Sequence, residues 1–441
     1  MNHEGLGLDF GPPAIAGDRR GSGPDRAPAA AAYDDPPADA LAKIGDVAAG
    51  AGLQRIEMVA WRDLGHPEAG GSELHAARIA ERWAAAGIDV VMTASRAPGA
   101  ARGERRDGYR IERPAGRYGI FPAVGLTRLA GRVRHAPDGA GEFPPRYRAR
   151  RRTGRGPDAT VEIWNGMPFF SPVWAPRPRM VFLHHVHDGM WDLVMPGQLA
   201  ALGRFLESRV APPFYRATPV VTLSESSRRG IIDILGLRPG QVSVVPPGVD
   251  DTFVPGPERS PDPLVVAVGR LVTYKRFDRL IDILVGLRRR HPRLRAVIAG
   301  EGQARAELEA RIAGHGAGDW LELPGRVDDD RLMELYQRAW VVASTSAYEG
   351  WGLTITEAAA CATPAVASPI AGHLDALDDG VTGFLAEPGP GMEERIDALL
   401  GDPVLRRRMQ KAALRKAALL TWDRTALRTL TILADQTAHR R

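Results

Sequence analysis

Residues 348–358 read Tyr-Glu-Gly-Trp-Gly-Leu-Thr-Ile-Thr-Glu-Ala and set two carboxylates, Glu349 and Glu357, eight positions apart around a glycine-hinged segment. Apolar residues 340–343 predict a buried strand, 344–352 the turn after it, and 353–362, rich in good helix formers, a helix. Glu349 then stands on the loop and Glu357 on an early helical turn. A helix start offers unpaired amides and the positive end of a dipole, which suits a phosphate group. Two carboxylates beside it could accept hydrogen bonds from sugar hydroxyls, so the segment points to a phosphorylated sugar. The alternative is local: Thr354-Ile355-Thr356-Glu357 also fits a helix capping box, which needs no ligand.

Other loops carry residue types that such a ligand needs. Gly70 and Gly71, in Pro67-Glu68-Ala69-Gly70-Gly71-Ser72-Glu73, let the backbone approach a ligand closely before a helix predicted over 72–86. A plain turn with Ser72 as the cap is the other reading. Arg270 and Lys275 follow a strand directly and could neutralise a diphosphate, Arg through its planar fork and Lys as a mobile point charge, or could be ordinary surface cations. Gly300-Glu301-Gly302 reads as a tight strand-to-helix turn. His184, His185 and His187 close another predicted strand, where adjacent side chains face opposite ways, so His184 and His185 do not share an ion. His185 and His187 could share a face but lack a third ligand, and a single histidine hydrogen-bonding a sugar hydroxyl in a cleft fits better. Asp328-Asp329-Asp330 could be a carboxylate cluster for a metal–nucleotide complex, yet ahead of Leu332-Met333-Glu334-Leu335-Tyr336 it reads better as a helix cap.

The elements that must position these loops alternate. Short apolar runs at 56–60, 90–93, 161–164, 180–183, 220–223 and 242–245 interleave with amphipathic stretches, which implies a parallel α/β sheet with right-handed crossovers. A second unit starts at 264–269 and continues through a helix at 278–290, a strand at 296–300, a helix at 304–313 and a strand at 320–323. The expected layout is an Ala/Gly/Pro-rich tail over 1–50 too poor in large apolar residues to order itself, a first domain over 51–250, a linker over 251–262, a second domain over 263–420, and a C-terminal helix over 421–441 that could return to the first domain. Two Rossmann-like doubly wound domains would then face each other across a cleft that holds the ligand.

Composition narrows the class. The chain has 441 residues, 44% apolar and 25% charged, enough for two soluble domains with their own cores. Its single cysteine, Cys361, excludes an intramolecular disulfide and a multi-cysteine zinc site, and reads as a small buried hydrophobe. No stretch approaches the roughly 20 apolar residues of a membrane span, and the start lacks the basic and apolar regions of a signal peptide, so a cytoplasmic protein is the expectation. The formal charge is +5, with an arginine-rich insertion over 102–155 that ends in Arg146, Arg148, Arg150, Arg151, Arg152 and Arg155. That block could touch an anionic membrane surface at the inner face or be a solvated, partly mobile loop. Nucleic acid is not expected, because neither zinc-finger spacing nor an aromatic-interleaved RNA signature accompanies it.

Taken together, these pieces resemble the retaining, nucleotide-sugar-dependent glycosyltransferases of the GT-B fold, glycosyltransferase family 4. The resemblance covers about residues 55–400 and rests on Gly70-Gly71-Ser72-Glu73, Trp164-Asn165-Gly166, His184-His185-Val186-His187, Ser224-Glu225-Ser226-Ser227, Gly269-Arg270 with Lys275, Gly300-Glu301-Gly302, Gly325-Arg326-Val327, Glu349 to Glu357, Thr363-Pro364 and Asp379-Gly380-Val381-Thr382-Gly383-Phe384. It implies that Glu349 contacts the transferred sugar and that the backbone at Trp351, Gly352, Leu353 and Thr354 approaches sugar and diphosphate. It further implies that Glu357 takes the ribose hydroxyls, Arg270 and Lys275 the diphosphate, Gly70 and Gly71 the phosphates from the other domain, Val327 the base, and His187 the sugar. No metal and no cofactor beyond the nucleotide-sugar co-substrate is implied. Two positions depart from the family pattern: Ala362 stands where glycine is usual, and Ala371-Gly372-His373 replaces a paired glycine. A GT-B-like nucleotide-sugar hydrolase or epimerase, or a non-catalytic sugar-nucleotide-binding protein, would share the donor pocket. The second of these has less reason to keep Glu349, Glu357, Arg270, Lys275 and His187 together.

Overall fold

The computed structural model describes residues 40–133 and 156–438. Eight strands build the first sheet: β1 (Arg55–Val59), β2 (Asp89–Thr93), β3 (Gly103–Arg106), β4 (Tyr109–Glu112), β5 (Ala159–Trp164), β6 (Arg179–Leu183), β7 (Val220–Thr222) and β8 (Val242–Val244). They lie in the order β3-β4-β2-β1-β5-β6-β7-β8 and are parallel except for β3 against β4. Six more, β9 (Leu264–Val268), β10 (Arg295–Ala299), β11 (Leu321–Gly325), β12 (Val341–Ser344), β13 (Ala365–Ala367) and β14 (Gly383–Leu385), form a wholly parallel second sheet in the order β11-β10-β9-β12-β13-β14. The central strands are buried on both faces because crossover helices cover both, and they are mostly apolar, with Glu57 of β1 and Glu162 of β5 among the buried exceptions.

The first core joins Ile56, Met58, Met180 and Phe182 to Ile79 and Trp83 of the helix Gly71–Ala85. Each such large side chain contributes roughly 1.5–3 kcal/mol on burial. The last helix, Trp422–Ala438, seals that core with Leu430 and Leu433, and the Trp83 indole donates to the Ala426 carbonyl. The chain thus crosses between domains twice, and the crossings touch. Val249 N donates to Leu420 O, and a Cβ on Gly248 would lie 2.2 Å from Trp422 N, so only glycine fits there.

Two sequence expectations need correction. Residues 40–51 are not tail but the helix Ala40–Ala51, whose Ala40, Ile44 and Ala48 recur at helical spacing and bury in the first core. Of the insertion over 102–155, the first part is no loop: β3 and β4 form an antiparallel hairpin on the sheet edge, and Ile120–Val133 is a helix. Its Arg113 is buried, pairing with Asp63 at 2.6 Å and Glu104 at 2.8 Å, so that charge serves the fold. The arginines from Arg146 to Arg155 lie outside the described residues. The three-residue strands β13 and β14 complete the second sheet without any run of their own to announce them. No helix of the described residues is long and apolar enough to cross a membrane.

Ala362 explains its own oddity. It ends the helix Leu353–Ala360 with φ of 56°, the left-handed conformation that glycine adopts freely at a helix C-terminus. An L-residue there loses roughly 1–2 kcal/mol, and glycine gives back only part of that through its looser unfolded chain. Ala362→Gly should therefore raise the stability by about 0.5–1 kcal/mol, read as a higher urea midpoint at unchanged slope; a lower midpoint would refute the strain.

Candidate functional site

In each sheet the strand order reverses once, between β1 and β5 in the first and between β9 and β12 in the second. Crevices open beyond the carboxyl ends of strands at such points. The loops that leave β1, β5, β9 and β12 there hold most of the residues singled out by sequence.

In the second domain the loop after β9 is clamped from below by the loop after β10. Gly269 N donates to Ala299 O, Leu271 N to Glu301 O and Ala304 N to Leu271 O. A Cβ at Gly300 would sit 1.8 Å from Gly269 O, and one at Gly302 would sit 2.2 Å from Leu271 O, so both glycines are required by close approach. Lys275 is set from the β12 side: the Thr345 hydroxyl donates to the carbonyls of Lys275 and Arg276, both at 2.9 Å, and Ala347 N donates to Tyr274 O. The Lys275 ammonium thereby reaches Glu349, and the two form an ion pair in which each side chain is at most one-fifth exposed. Ser346 Oγ adds a hydrogen bond to the same carboxylate at 3.0 Å. Burial alone would raise the Glu349 pKa, yet the Lys275 ammonium holds it below the usual value, so the group is ionised.

Trp351 is buried beneath the loop with its indole N–H unpartnered, and Gly352 has φ of 104°. A Cβ on Gly352 would lie 2.9 Å from the ring of His373. His373 Nδ1 is 2.9 Å from Ser368 O, which can only accept, so Nδ1 carries the proton and Nε2 faces Gly352 and Ser344. The helix Leu353–Ala360 starts here, so the amides of Leu353 and Thr354 have no intrahelical acceptor. The capping-box reading of Glu357 fails. The cap is Gly352, and Glu357 Oε2 accepts instead from the Tyr336 hydroxyl at 2.9 Å. Burial pushes its pKa up to about 7.

Val327 stands between β11 and the N-cap of the helix Asp329–Arg338. That cap is Asp328, whose carboxylate accepts from Arg331 N at 2.8 Å, the capping role read for the aspartate run. Cys361 is fully buried, with its thiol pKa raised to about 12 by burial.

The first domain presents Gly70 and Gly71 opposite. A Cβ on Gly71 would meet Leu353 Cδ1 at 3.2 Å, and one on Gly70 would stand 3.9 Å from Arg270 Nε, so this turn lies against the start of the helix Leu353–Ala360 and Arg270. Ser72 does not cap the helix: Gly70 is the cap, and Glu73 reaches back to Gly70 N at 2.8 Å while holding buried Arg62 at 3.1 Å. Asn165 Nδ2 joins from β5 to Ser72 Oγ at 3.2 Å. Arg270 is exposed and donates to the Tyr274 hydroxyl at 2.5 Å.

His187 lies on the cleft floor under Gly166, stacked on His185 at 4.7 Å between centroids. The two rings lie face to face instead of converging on one point, and His184 turns away to meet His75, Nε2 to Nδ1, at 3.2 Å. Burial depresses the pKa of all three, so they are neutral at pH 7. His187 Nδ1 is buried without a hydrogen bond, 3.7 Å from Glu207 Oε1. Its backbone N–H donates to Glu207, a buried carboxylate whose pKa burial lifts to about 7. The loops of the two domains touch directly: Ser224 and Ser227 donate to Gly350 O, Gly372 N donates to Ser226 Oγ at 2.9 Å, and Asp375 accepts from the amides of Glu225 and Ser226.

Sequence reasoning missed Arg62, Tyr336, Glu207 and Asp375, whose partners lie on distant elements. For His373 there was a signal. It falls in the Ala371-Gly372-His373 departure, where Gly372 has φ of 85° and a Cβ would strike Trp351 N at 2.6 Å. One glycine of the usual pair is thus kept where the backbone demands it, and Ala371 is exposed.

Comparison with known proteins agrees with this layout. Residues 69–253 match the model of Glycosyltransferase Family 4, and residues 249–416 match that of Glycosyl transferases group 1. A D-inositol 3-phosphate glycosyltransferase of Kribbella flavida is 36% identical over 225 residues, covering 45% of this chain and 52% of that protein. An alpha-D-kanosaminyltransferase of Streptomyces kanamyceticus is 33% identical over 153 residues, 34% of this chain and 40% of that one. The chain thus spans about half the length of the curated relatives it matches. Among solved structures, a sucrose-phosphate synthase from Thermosynechococcus elongatus superposes with a TM-score of 0.69 at 21% identity, covering 85% of this chain and 97% of that one. HepE of Anabaena, solved with UDP-glucose, gives 0.61 at 19% identity, covering 88% and 100%. With one family model on each of its two doubly wound domains and this fold shared throughout, the chain belongs to the GT-B glycosyltransferases of family 4.

Proposed function

We propose that this chain is a retaining glycosyltransferase, a hexosyltransferase that moves a sugar from a nucleoside-diphosphate sugar to a hydroxylated acceptor in glycan, glycolipid or other glycoconjugate synthesis. The observation that carries the reading is the Lys275–Glu349 ion pair at the reversal point of the second sheet, with Arg270 and the Leu353–Ala360 helix start beside it and the Gly70–Gly71 turn against them. The UDP-glucose complex of HepE and the names of the curated relatives support a nucleotide-sugar donor.

In this reading the sugar C1–O bond to the diphosphate breaks while the acceptor oxygen bonds C1 on the same face. The acceptor proton passes to the departing phosphate oxygen, so no protein base is needed. Negative charge grows on the diphosphate, beside Arg270 and the open amides of Leu353 and Thr354, donors of the kind that stabilise a developing charge. Lys275 exchanges Glu349 for phosphate as the donor enters, which frees Glu349 to accept from a sugar hydroxyl. His187, neutral, lines the sugar site in this reading, while its Nδ1 is buried toward Glu207. Val327 borders the base, and Glu357 takes the ribose diol. Charge on this reading comes from side chains and helix amides, so turnover should survive EDTA; loss on chelation with recovery on adding a divalent ion would discard the metal-free scheme. A nucleotide-sugar panel read by thermal shift identifies the donor, and product analysis with and without acceptor tells transfer from hydrolysis.

Arg270→Ala should lower kcat about 100- to 1,000-fold while leaving the melting temperature within a degree or two, because an exposed cation adds little stability. Lys275→Ala should cost activity and stability together, since it strands the Glu349 carboxylate; adding Glu349→Gln should restore stability but not turnover. Full activity in Arg270→Ala would remove the diphosphate assignment.

The two glutamates separate by ligand. Glu349→Gln should spare nucleoside-diphosphate binding and reduce turnover, whereas Glu357→Gln should weaken nucleoside diphosphate and nucleotide sugar alike. Because the folded pKa of Glu357 is raised to about 7, its protonated form is favoured in the fold, and the associated stability is present below about pH 4.5 and lost as pH rises through 7. Ribose hydroxyls prefer the ionised form, so nucleotide affinity should increase between pH 6 and 8 in the wild type and change less in Glu357→Gln. Calorimetry on both proteins measures this; parallel pH profiles would leave Glu357 only its bond to Tyr336.

A further inference from the structure

Residues 197–215 form one nearly continuous helical run: Gly197–Phe205 is α-helical, Leu206–Val210 a π-turn, and Pro212–Tyr215 α-helical again. Its polarity is inverted. The inner face carries small or polar residues, Ala200, Gly203, Glu207 and Ala211, all buried, and a Cβ at Gly203 would come within 2.6 Å of Trp191. The outer face carries Leu199, Leu202 and Phe205, one turn apart and 55%, 51% and 56% exposed, followed by Phe214 at 48%. Large apolar side chains set outward at helical spacing form a ridge, not the scattered exposure usual on a surface.

Charge marks one end of this ridge. Arg209 and Arg216 lie on the run itself, Arg238 donates to Arg216 O, and Arg177 donates to Ala217 O. All four are exposed, and none makes an ion pair among the described residues. We infer that this ridge docks on an anionic lipid surface, with the leucines and Phe205 entering the headgroup boundary and the arginines meeting lipid phosphates. Two copies docked with their ridges parallel would set the same arginines against each other, whereas anionic lipid phosphates complement them. A nucleic acid would leave the apolar ridge in water.

The inference stands apart from the transfer reaction, since binding is read without turnover. The full chain is floated with phosphatidylcholine vesicles, with and without 30 mol% phosphatidylglycerol (about that fraction, to give a clear surface potential). Binding should require phosphatidylglycerol and weaken in high salt. Leu202→Asp with Phe205→Asp should abolish it, and Arg209→Glu with Arg216→Glu should lower the partition about fivefold or more per arginine. Thermal unfolding controls for the fold; these are surface positions, and midpoints should match the wild type. No wild-type binding, equal binding to neutral vesicles, or binding that the ridge variants retain overturns the proposal. So does a dimer by light scattering that Phe205→Asp dissolves, which would assign the ridge to a second copy.

Discussion

The pairing of Lys275 with Glu349 is the constraint around which the cleft is organised. Two opposite charges largely withdrawn from water are tolerable only if they meet with good geometry and their remaining hydrogen bonds are filled. Thr345 fixes the backbone under Lys275, Ser346 fills a carboxylate position, and His373 adds a neutral polar wall. The glycines follow from the same requirement. Gly352 and Gly372 let the loop fold over His373 and its own backbone, while Gly300 and Gly302 let one strand-end loop lie directly on the next.

That constraint reaches the first domain through backbone atoms. Gly350 O and Gly372 N flank the donor loop and bond serines at the start of the helix Glu225–Leu235, and Asp375 satisfies two of that helix's open amides from the other domain. At the opposite junction the two chain crossings press together at Gly248 and Trp422, and Arg78 binds Asp250 at 2.7 Å. The position of the Gly70–Gly71 turn against Leu353 is therefore set by contacts on two sides of the cleft, and not by the turn itself.

Much of this was legible because parallel strands buried on both faces leave continuous apolar runs, and because loops that approach backbone closely must spend glycine. What escaped did so for identifiable reasons. The β3–β4 hairpin carries the two-residue Asp107-Gly108 turn, both residues at positive φ, which is a strong local signal. Its arginines hid the alternation Tyr109 and Ile111 in, Arg110 and Glu112 out. The helix Ala40–Ala51 is alanine-rich, and its partner lies at the far end of the chain. Local sequence made Glu357 look like a capping residue; only tertiary structure brings the buried Tyr336 hydroxyl to its carboxylate.

The electrostatics of the cleft are sparse by construction. Burial keeps His184, His185 and His187 neutral, and it raises Glu207 and Glu357 into the range where they too can be uncharged near pH 7. Fixed charge in the donor half then resides in Arg270, Lys275 and Glu349, and the last two cancel while the site is empty. On the proposed reading, a diphosphate would meet Arg270 and the unpaired helix start first, and would gain the Lys275 charge only by separating it from Glu349. The arrival of phosphate would then be coupled to release of the Glu349 carboxylate, which Ser346 still holds and which a sugar hydroxyl would then share.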